Sequence, residues 1–390
     1  MALTFFGYST VHDVRDLILE QDFQEAAKHL QRVGLSLPTG ITLGLGLYET
    51  GRIIATGFLA GNVLCGISVV PDKQGEGLAA FMVSRLMERG AGEGLSHFLL
   101  FTKPGEVGTF RNLSFSEIAC TGTAALLEFG RPGYADWIDF CRRNLHASDK
   151  GKDKKINGNS SPGPREAAFK PGREKPRHKP DTSRPMYRRA AVVMNANPFT
   201  RGHRHLVETA LQAADTAAVF VVQEDASAFP FSVRFALVCE GLADLNRVKV
   251  LPGGNFMVSL ASFPSYFTGE RQHEAVHASL DATIFASKVA PDLGLDLRCV
   301  GAEPVCGVTA AYNEALRRIL PIHGIRCVEV PRLCEGTEVV SASTVRALLQ
   351  QRPLPWEAIA KLTPASTLRY LRSDEGRALV EGLVNRSGRH

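Results

Sequence analysis

Residues 197–203, with the sequence NPFTRGH, combine residue types that together suit anion binding. Asn197 precedes a proline, which disfavours helix at that position and predicts a turn. Thr200 offers a hydroxyl that can cap free N–H groups or touch a phosphate, and Gly202 lacks a Cβ that would keep a phosphate chain off the backbone. His203 would point its imidazole at the same anion, which a helix N-terminus already attracts. The segment therefore predicts a phosphate site at the start of a helix.

A second segment with hydroxyl side chains lies about 140 positions further along, in residues 340–346, VSASTVR. At a helix start, Ser341, Ser343 and Thr344 would aim O–H and N–H donors at an anion, and Arg346 follows one turn later. A capped helix with an incidental Gly-His pair would explain the first segment by itself. It does not explain both segments, whose spacing fits the two edges of one nucleotide crevice.

These residue types suit adenylyl transfer, in which an attacking group displaces pyrophosphate from the α-phosphorus of ATP. Such a site supplies positioning and charge stabilisation, and a Mg²⁺ held largely by the phosphates would offset the remaining charge. The residues expected to act on the reacting phosphates are His203, Thr200 and Arg346. The other residues expected to bind the nucleotide are Asn197, Gly202, Ser341, Ser343, Thr344, Arg234 and Glu303.

Arg234 and Glu303 are the weaker candidates of this set. Arg234 lies on a helix predicted after the aromatic residues of 229–231, and Glu303 follows the end of a predicted strand. As single residues, both are more often surface or packing charges than ligands of a nucleotide.

From residue 187 onward, short apolar runs alternate with longer amphipathic stretches. This strand–helix alternation predicts a Rossmann-like, doubly wound parallel sheet. Ligands of such sheets bind outside the carboxyl ends of the strands, which is where residues 197–203 fall. The predicted strands are 190–194, 217–222, 248–251, 297–301 and 325–330, and the predicted helices are 202–214, 232–242, 270–289, 310–320 and those from 343 onward.

The first half of the chain predicts an α+β domain with consecutive antiparallel strands joined by tight turns. After the third strand, Gln74, Gly75, Gly77 and Ala79 lie in a loop that opens a helix. The backbone amides of a glycine-rich loop in this position can approach a pyrophosphate. The predicted strands are 41–48, 52–59, 63–70, 98–101 and 125–129.

Residues 148–186 are rich in Lys, Pro, Gly and Ser and nearly free of large apolar residues, which predicts a disordered linker. We therefore expect a first domain over 1–147, the linker over 148–186 and an adenylylating domain over 187–390. The net charge is +5, but residues 150–189 carry an excess of +9, so the remainder is slightly acidic. This distribution argues against a nucleic-acid partner.

The eight cysteines are scattered without a C-x-x-C pair, and no His or Cys has zinc-ligand spacing. We expect free thiols in a reducing compartment and no metal site built from protein ligands. No apolar run approaches the length of a membrane span, and the N-terminus does not resemble a secretory signal. The expectation is a cytoplasmic protein without a membrane partner.

Residues 194–208, MNANPFTRGHRHLVE, closely resemble a motif of the citrate lyase ligase family. The two phosphate segments are also similar to the Thr/His-x-Gly-His and Ile-Ser-Ser-Thr-x-x-Arg signatures of the nucleotidyltransferase superfamily, with Val340 and Ala342 as mild departures. Residues 74–79 resemble the coenzyme A loop of GNAT acetyltransferases. Further segments similar to the ligase family are 224–225, 229–231, 263–267, 300–304, 308–313 and 341–343.

The resemblance implies an AMP-forming ligase that uses ATP and Mg²⁺. Acetate would attack ATP to give acetyl-adenylate and pyrophosphate. The prosthetic-group thiol of the citrate lyase acyl-carrier subunit would then take the acetyl group and release AMP. The resemblance also implies a GNAT-like N-terminal domain, at which a coenzyme A-like group could bind. From the residues alone we infer only nucleotide binding and chemistry at the α-phosphorus.

Two other functions fit the same motifs. A nucleotidyltransferase that adenylylates a phosphorylated metabolite would share both phosphate segments and need no carrier thiol. A regulator that binds nucleotide and acetyl-coenzyme A without turnover belongs to a different class. Acetate-dependent exchange of pyrophosphate into ATP separates the ligase from both alternatives.

Overall fold

The computed structural model describes residues 13–146, 185–223, 227–257, 270–302, 307–336 and 338–387. These residues form an N-terminal region around a seven-stranded sheet and a C-terminal region around a five-stranded sheet. Nearly all of the predicted linker lies outside the described residues, and so does Glu303.

The N-terminal sheet has the strand order β1-β2-β3-β4-β5-β7-β6. Strands β2, β3 and β4 pair antiparallel, as the sequence predicts. The turn between β2 and β3 places Thr50 and Gly51 at φ of +49° and +77°, the left-handed conformation that tight hairpins require. The elements are β1 (Asp13–Asp16), α1 (Glu20–Arg32), β2 (Leu43–Glu49), β3 (Arg52–Ala60), β4 (Val63–Val69), α2 (Leu78–Gly92), β5 (His97–Thr102), α3 (Val107–Arg111), β6 (Ser116–Cys120), β7 (Ala125–Gly130) and α4 (Tyr134–His146).

Strands β4 and β5 are parallel and pair over a short stretch only. Val63 pairs with Leu99 and Leu64 with Leu100, and within residues 13–146 the two strands have no further ladder pair. Beyond Leu64 they diverge, and a cavity opens between them in front of the loop that begins α2. The two strands therefore pair at one end and leave a gap at the other.

The C-terminal sheet has the order β10-β9-β8-β11-β12, and all its ladders are parallel. The predicted doubly wound parallel sheet is confirmed. The elements are β8 (Tyr187–Met194), α5 (Arg201–Ala213), β9 (Ala214–Val221), α6 (Phe231–Gly241), β10 (Val248–Pro252), α7 (Glu270–Ile284), α8 (Ala290–Leu293), β11 (Leu297–Gly301), α9 (Gly307–Ile319), β12 (Arg326–Val330), β13 (Cys334–Glu335), β14 (Glu338–Val339), α10 (Ala342–Leu349), α11 (Trp356–Leu362), α12 (Ala365–Arg372) and α13 (Asp374–Ser387).

The central strand β8 is buried on both faces, which explains its nearly continuous apolar sequence. Ala190 and Val192 pack into one hydrophobic cluster with α5 and α6, whereas Ala191 packs into another with α7. A parallel strand covered on both sides positions its carboxyl end rigidly, and the β8–α5 turn begins there.

Helix α4 joins the two regions. The indole of Trp137 donates a hydrogen bond to the carbonyl of Pro252 at 3.0 Å, and the Tyr134 hydroxyl donates to Asp292 at 2.9 Å. Apolar residues of both regions share one cluster around Phe256. Pro252 ends β10, whereas Asp292 lies on α8 before the start of β11, so α4 contacts the C-terminal region near both edges of the sheet.

Across the described ranges, no helix has both the length and the apolar character needed to cross a membrane.

Candidate active site

Thr200 and His203 cap the start of α5 reciprocally. The backbone N–H of Thr200 donates to His203 Nδ1 at 3.0 Å, and the backbone N–H of His203 donates to Thr200 Oγ1 at 3.4 Å. Because Nδ1 accepts a hydrogen bond, the neutral ring carries its proton on Nε2. Nε2–H is the donor that remains for a ligand. The predicted cap at Thr200 is thus present, and it also fixes the imidazole of His203.

His203 is neutral at physiological pH. Burial and the neighbouring Arg332 guanidinium lower the pKa of His203 to about 4. The imidazole therefore offers a neutral N–H donor, and positive charge for a phosphate comes from arginine side chains.

Gly202 allows the two phosphate segments to touch. A Cβ at this position would lie 2.7 Å from the carbonyl oxygen of Val340, which is too close for any side chain without a backbone shift. We expected the missing Cβ to leave room for a phosphate chain. The structure corrects that reason, because the carbonyl of the second segment occupies the space.

The second segment caps α10 through hydroxyl groups. Ser341 is the N-cap residue, and its Oγ accepts the backbone N–H of Thr344 at 3.0 Å. The Ser341 Oγ also lies 2.8 Å from Ser343 Oγ and 2.8 Å from Thr344 Oγ1. The predicted cluster of donors at a helix start is therefore present.

Arg346 links α10 to the turn after β8. Its Nη1 donates to the carbonyl of Asn197 at 2.5 Å, and burial lowers the pKa of Arg346. The side-chain oxygen of Asn197 accepts the backbone N–H of Phe229 at 2.9 Å. Asn197 is thus engaged in holding two backbones together at the edge of the sheet.

Arg234 does not face the phosphates, which corrects the prediction made for it. The side chain is fully buried. Its guanidinium donates to the carbonyls of Phe229, Asn195 and Val222 at 2.8–2.9 Å. A guanidinium is the side chain that can satisfy several converging carbonyls, so Arg234 stabilises the strand ends beneath the site.

These segments border a cleft of about 210 Å³ at the carboxyl edge of the parallel sheet. Thr200, Gly202, His203 and Ser341 line it directly. Ser343, Thr344, Arg346 and Asn197 lie beside it and are bonded to its lining or to one another. The cleft lining also includes the ends of β8, β11 and β12.

Four polar lining residues were absent from the predicted set of site residues: Asn195, His205, Thr309 and Arg332. Arg332 follows β12, and its Nε donates to the Ala302 carbonyl at 2.7 Å. Its position just after the last parallel strand was a usable signal, because ligands of these sheets gather at strand ends. The other three lie in segments that resemble the ligase family, Asn195 and His205 in 194–208 and Thr309 in 308–313.

A second cleft, of about 590 Å³, lies in the N-terminal region. Its lining includes all four residues of the predicted loop: Gln74, Gly75, Gly77 and Ala79. Gly75 and Gly77 have φ of +87° and +81°, so both depend on the freedom of glycine. Gln74 donates from its amide to the Val69 carbonyl at 3.2 Å, which anchors the loop to β4.

In the described part of the chain, no group of three or more His, Cys, Asp or Glu side chains is placed to hold a metal ion.

Comparison with known proteins identifies the family. The model of the citrate lyase ligase C-terminal domain matches residues 189–371. The citrate (pro-3S)-lyase ligase of Klebsiella pneumoniae is 33% identical to this chain over 350 residues. The match covers 88% of this chain and 91% of the relative. The ligase of the same name from Escherichia coli is 32% identical over 356 residues, 90% of each chain.

Solved structures resemble each region separately. The GNAT domain of PAT from S. lividans is 15% identical and covers 30% of this chain and 90% of its own, with a TM-score of 0.26. A bifunctional NMN adenylyltransferase/ADP ribose pyrophosphatase from Francisella tularensis is 14% identical, covers 52% of this chain and 53% of its own, and has a TM-score of 0.33. The fold assignment rests on the strand orders and not on these likenesses.

The strand orders define a two-part α/β protein, with a mixed seven-stranded sheet in its N-terminal region and a parallel five-stranded sheet in its C-terminal region. The chain belongs to the citrate (pro-3S)-lyase ligase family, and it is a ligase.

Proposed function

We propose that this enzyme uses ATP to activate acetate as acetyl-adenylate. It then transfers the acetyl group to the prosthetic-group thiol of the citrate lyase acyl-carrier subunit. The observation that carries the proposal is the convergence of two capped helix starts, at Thr200 and Ser341, on one cleft. The names of the relatives favour the ligase over a nucleotidyltransferase for a phosphorylated metabolite and over a regulator without turnover.

In the first step, a carboxylate oxygen of acetate attacks the α-phosphorus and pyrophosphate leaves. His203 would donate from Nε2 to a phosphate oxygen, because its Nδ1 is already engaged by the Thr200 N–H. The free N–H and O–H groups at the start of α10 would hold phosphate oxygens from the opposite side. Arg332 and Arg346 would supply the positive charge that the neutral His203 does not.

The substrate would be the complex of ATP with Mg²⁺. The described lining of the nucleotide cleft consists of apolar residues and hydroxyl, amide, imidazole and guanidinium groups, with no carboxylate among them. This set fits a metal held through phosphate oxygens, where Mg²⁺ neutralises charge on the leaving pyrophosphate.

In the second step, the thiol of the carrier attacks the acetyl carbonyl and AMP leaves. We propose that the N-terminal cleft binds the coenzyme A-like arm that bears this thiol. The backbone amides around Gly75 and Gly77 suit a pyrophosphate, and the cavity of about 590 Å³ can take a pantetheine chain. Helix α4 also contacts the carboxyl end of β10, through the hydrogen bond of Trp137 to the Pro252 carbonyl.

The remaining expectations stay proposals. We propose domains over 1–147 and 187–390 joined by a linker over 148–186, and a cytoplasmic location.

The test of the first step is exchange of labelled pyrophosphate into ATP by the full chain. The proposal expects exchange that depends on acetate. Nucleotide binding without exchange in the presence of acetate contradicts the proposal, and exchange that requires a phosphorylated metabolite in place of acetate supports the nucleotidyltransferase alternative. Nucleotide binding without exchange under either condition supports the regulator.

A further inference from the structure

The N-terminal cleft passes through the sheet from one face to the other. Leu78 and Phe110, which line it, belong to the cluster that α2 covers. Leu35, which also lines it, packs against the cluster under α1 on the opposite face. The passage is the gap where β4 and β5 diverge after Leu64. A chain held at the 74–79 loop can therefore reach the α1 face.

A buried polar trio lies where the cleft meets the α1 face. Ser68, on β4, lines the cleft, and its Oγ lies 2.7 Å from Nε2 of His29 on α1. Thr56, its cross-strand neighbour, has its Oγ1 2.8 Å from the same Ser68 Oγ. The side chains of the trio are almost completely buried, with exposures of 3% for His29, 5% for Ser68 and 0% for Thr56.

The hydrogen bonds leave the Ser68 proton available to His29. The Thr56 hydroxyl donates to the Gly66 carbonyl at 3.1 Å, so it can only accept from Ser68. His29 Nε2 accepts from Ser68 in the tautomer that carries the ring proton on Nδ1, a buried atom with no hydrogen-bond partner among the described residues. Burial and the charge of Arg32 lower the pKa of His29, which keeps the imidazole neutral.

A purely structural trio would satisfy its own hydrogen bonds and have no need of a cavity. Here the serine borders a cleft whose other end is a loop suited to pyrophosphate. A hydroxyl held by an imidazole beside a substrate channel is the arrangement that activates a serine nucleophile.

We propose that the N-terminal cleft is a second acyl-transfer centre, in which Ser68 takes an acyl group from the thioester of a coenzyme A-like arm. The inference rests on the arm-binding part of the proposed function. Ser68 Oγ attacks the thioester carbonyl while its proton passes to His29 Nε2. The carbon–sulfur bond breaks, and the thiolate takes the proton from His29. A second thiol then reverses these steps, so the acyl group moves between thiols without ATP or a redox partner.

The experiment incubates the full chain with acetyl-coenzyme A, without ATP or acetate, and maps acetylated peptides by mass spectrometry. We expect one acetyl group on Ser68. Ser68→Ala should abolish it, Ser68→Cys should retain acylation at the same position, and His29→Gln should slow it on the order of 100-fold. Ser116→Ala, which alters an exposed serine on β6 outside the cleft lining, is the matched control and should leave the rate unchanged. Pyrophosphate exchange reports that each variant is folded.

Three outcomes would overturn the proposal. If acetyl-coenzyme A binds in calorimetry but acylates neither the wild type nor Ser68→Cys, Ser68 is not a nucleophile. If His29→Gln and the wild type are acylated at equal rates, His29 does not act as the base for Ser68. If acetyl-coenzyme A does not bind, both this acyl-transfer centre and the proposed arm site are wrong. Acetate-dependent pyrophosphate exchange still tests adenylate formation separately.

Discussion

The two clefts both lie next to the start of a helix that follows a strand, yet they are built differently. In the nucleotide cleft, side chains hold the backbone in place: Arg346 on α10 reaches the carbonyl of Asn197, and His203 accepts the N–H of Thr200 within its own helix start. In the N-terminal cleft, the space is a gap between two strands, closed by a loop with two glycines in the left-handed conformation. The difference indicates that side-chain truncations should damage the first site, whereas added bulk should damage the second.

The largest effect is expected from His203→Ala. Acetate-dependent pyrophosphate exchange should fall by about 10²–10³, because a positioned donor to the reacting phosphates is lost. Circular dichroism should show a folded protein, since the Thr200 hydroxyl remains as the cap of α5. The matched control is His323→Ala, which alters an exposed histidine far along the chain. Exchange within twofold of the wild type in a folded His203→Ala variant would refute the assignment.

The pH profile tests the same residue without mutation. The pKa of His203 is lowered to about 4, so the neutral form persists well below the usual histidine range. As the pH is lowered through about 6.5, protonation of His203 should therefore cause no fall in kcat/KM for ATP. Protonation should weaken the fold as the pH falls from about 6.5 towards 4, because the folded state favours the neutral ring. An NMR titration of His203 with a midpoint near 6.5 would contradict this account.

Gly202→Ala should have the next largest effect. The new Cβ would meet the Val340 carbonyl at 2.7 Å and push the two phosphate segments apart. A misplacement of about 1 Å at such a site can cost on the order of 100-fold in rate. Gly382→Ala is the control, because it adds the same methyl group to a helix where nothing lies within 4 Å. Unchanged exchange in Gly202→Ala would show that the segments need not touch.

The paired substitution Gly75→Glu with Gly77→Glu tests the N-terminal cleft. It places side chains and negative charge where a pyrophosphate should lie, at positions whose positive φ disfavours any residue but glycine. We expect acetyl transfer to the carrier to fall at least tenfold. Acetate-dependent pyrophosphate exchange should stay near the wild-type rate. Survival of both steps would mean that the loop has no part in transfer.

Arg234→Met should have the smallest effect on ATP binding and a clear effect on stability. It leaves buried carbonyls without a donor, at a cost on the order of 1–3 kcal/mol in the free energy of unfolding. Urea denaturation measures that loss, and the KM for ATP should change only a fewfold. Arg369→Met, which breaks an exposed pair with Glu240, should be near neutral. A large rise in KM without a loss of stability would restore Arg234 as a phosphate ligand.

The sequence predicted the C-terminal sheet well because its strands are short apolar runs that alternate with helices. Hydroxyl residues cap two of those helices, at Thr200 and Ser341. The residues at the helix starts could be predicted for the same reason, since capping and phosphate binding demand the same residue types. The structural role of Arg234 could not be predicted from the sequence. An arginine that satisfies three carbonyls from different elements has no local pattern, and only the packing of those elements brings the acceptors together.

In the N-terminal region, the sequence predicted the loop and the hairpins but not the dyad. His29 and Ser68 are 39 positions apart and lie on elements whose mutual packing no motif encodes. We assigned no element to α1, and Ser68 read only as part of a strand. The divergence of β4 from β5 is likewise a property of pairing, which composition and periodicity do not reveal.

The most direct test of the central claim is a single reaction of the full chain with ATP, Mg²⁺, acetate and the citrate lyase acyl-carrier subunit, followed by mass spectrometry of the carrier. The account predicts one acetyl group on the prosthetic-group thiol, with AMP formed in equal amount. A carrier that stays unmodified while AMP or pyrophosphate accumulates would contradict it, and so would acetylation that proceeds with ADP as the product.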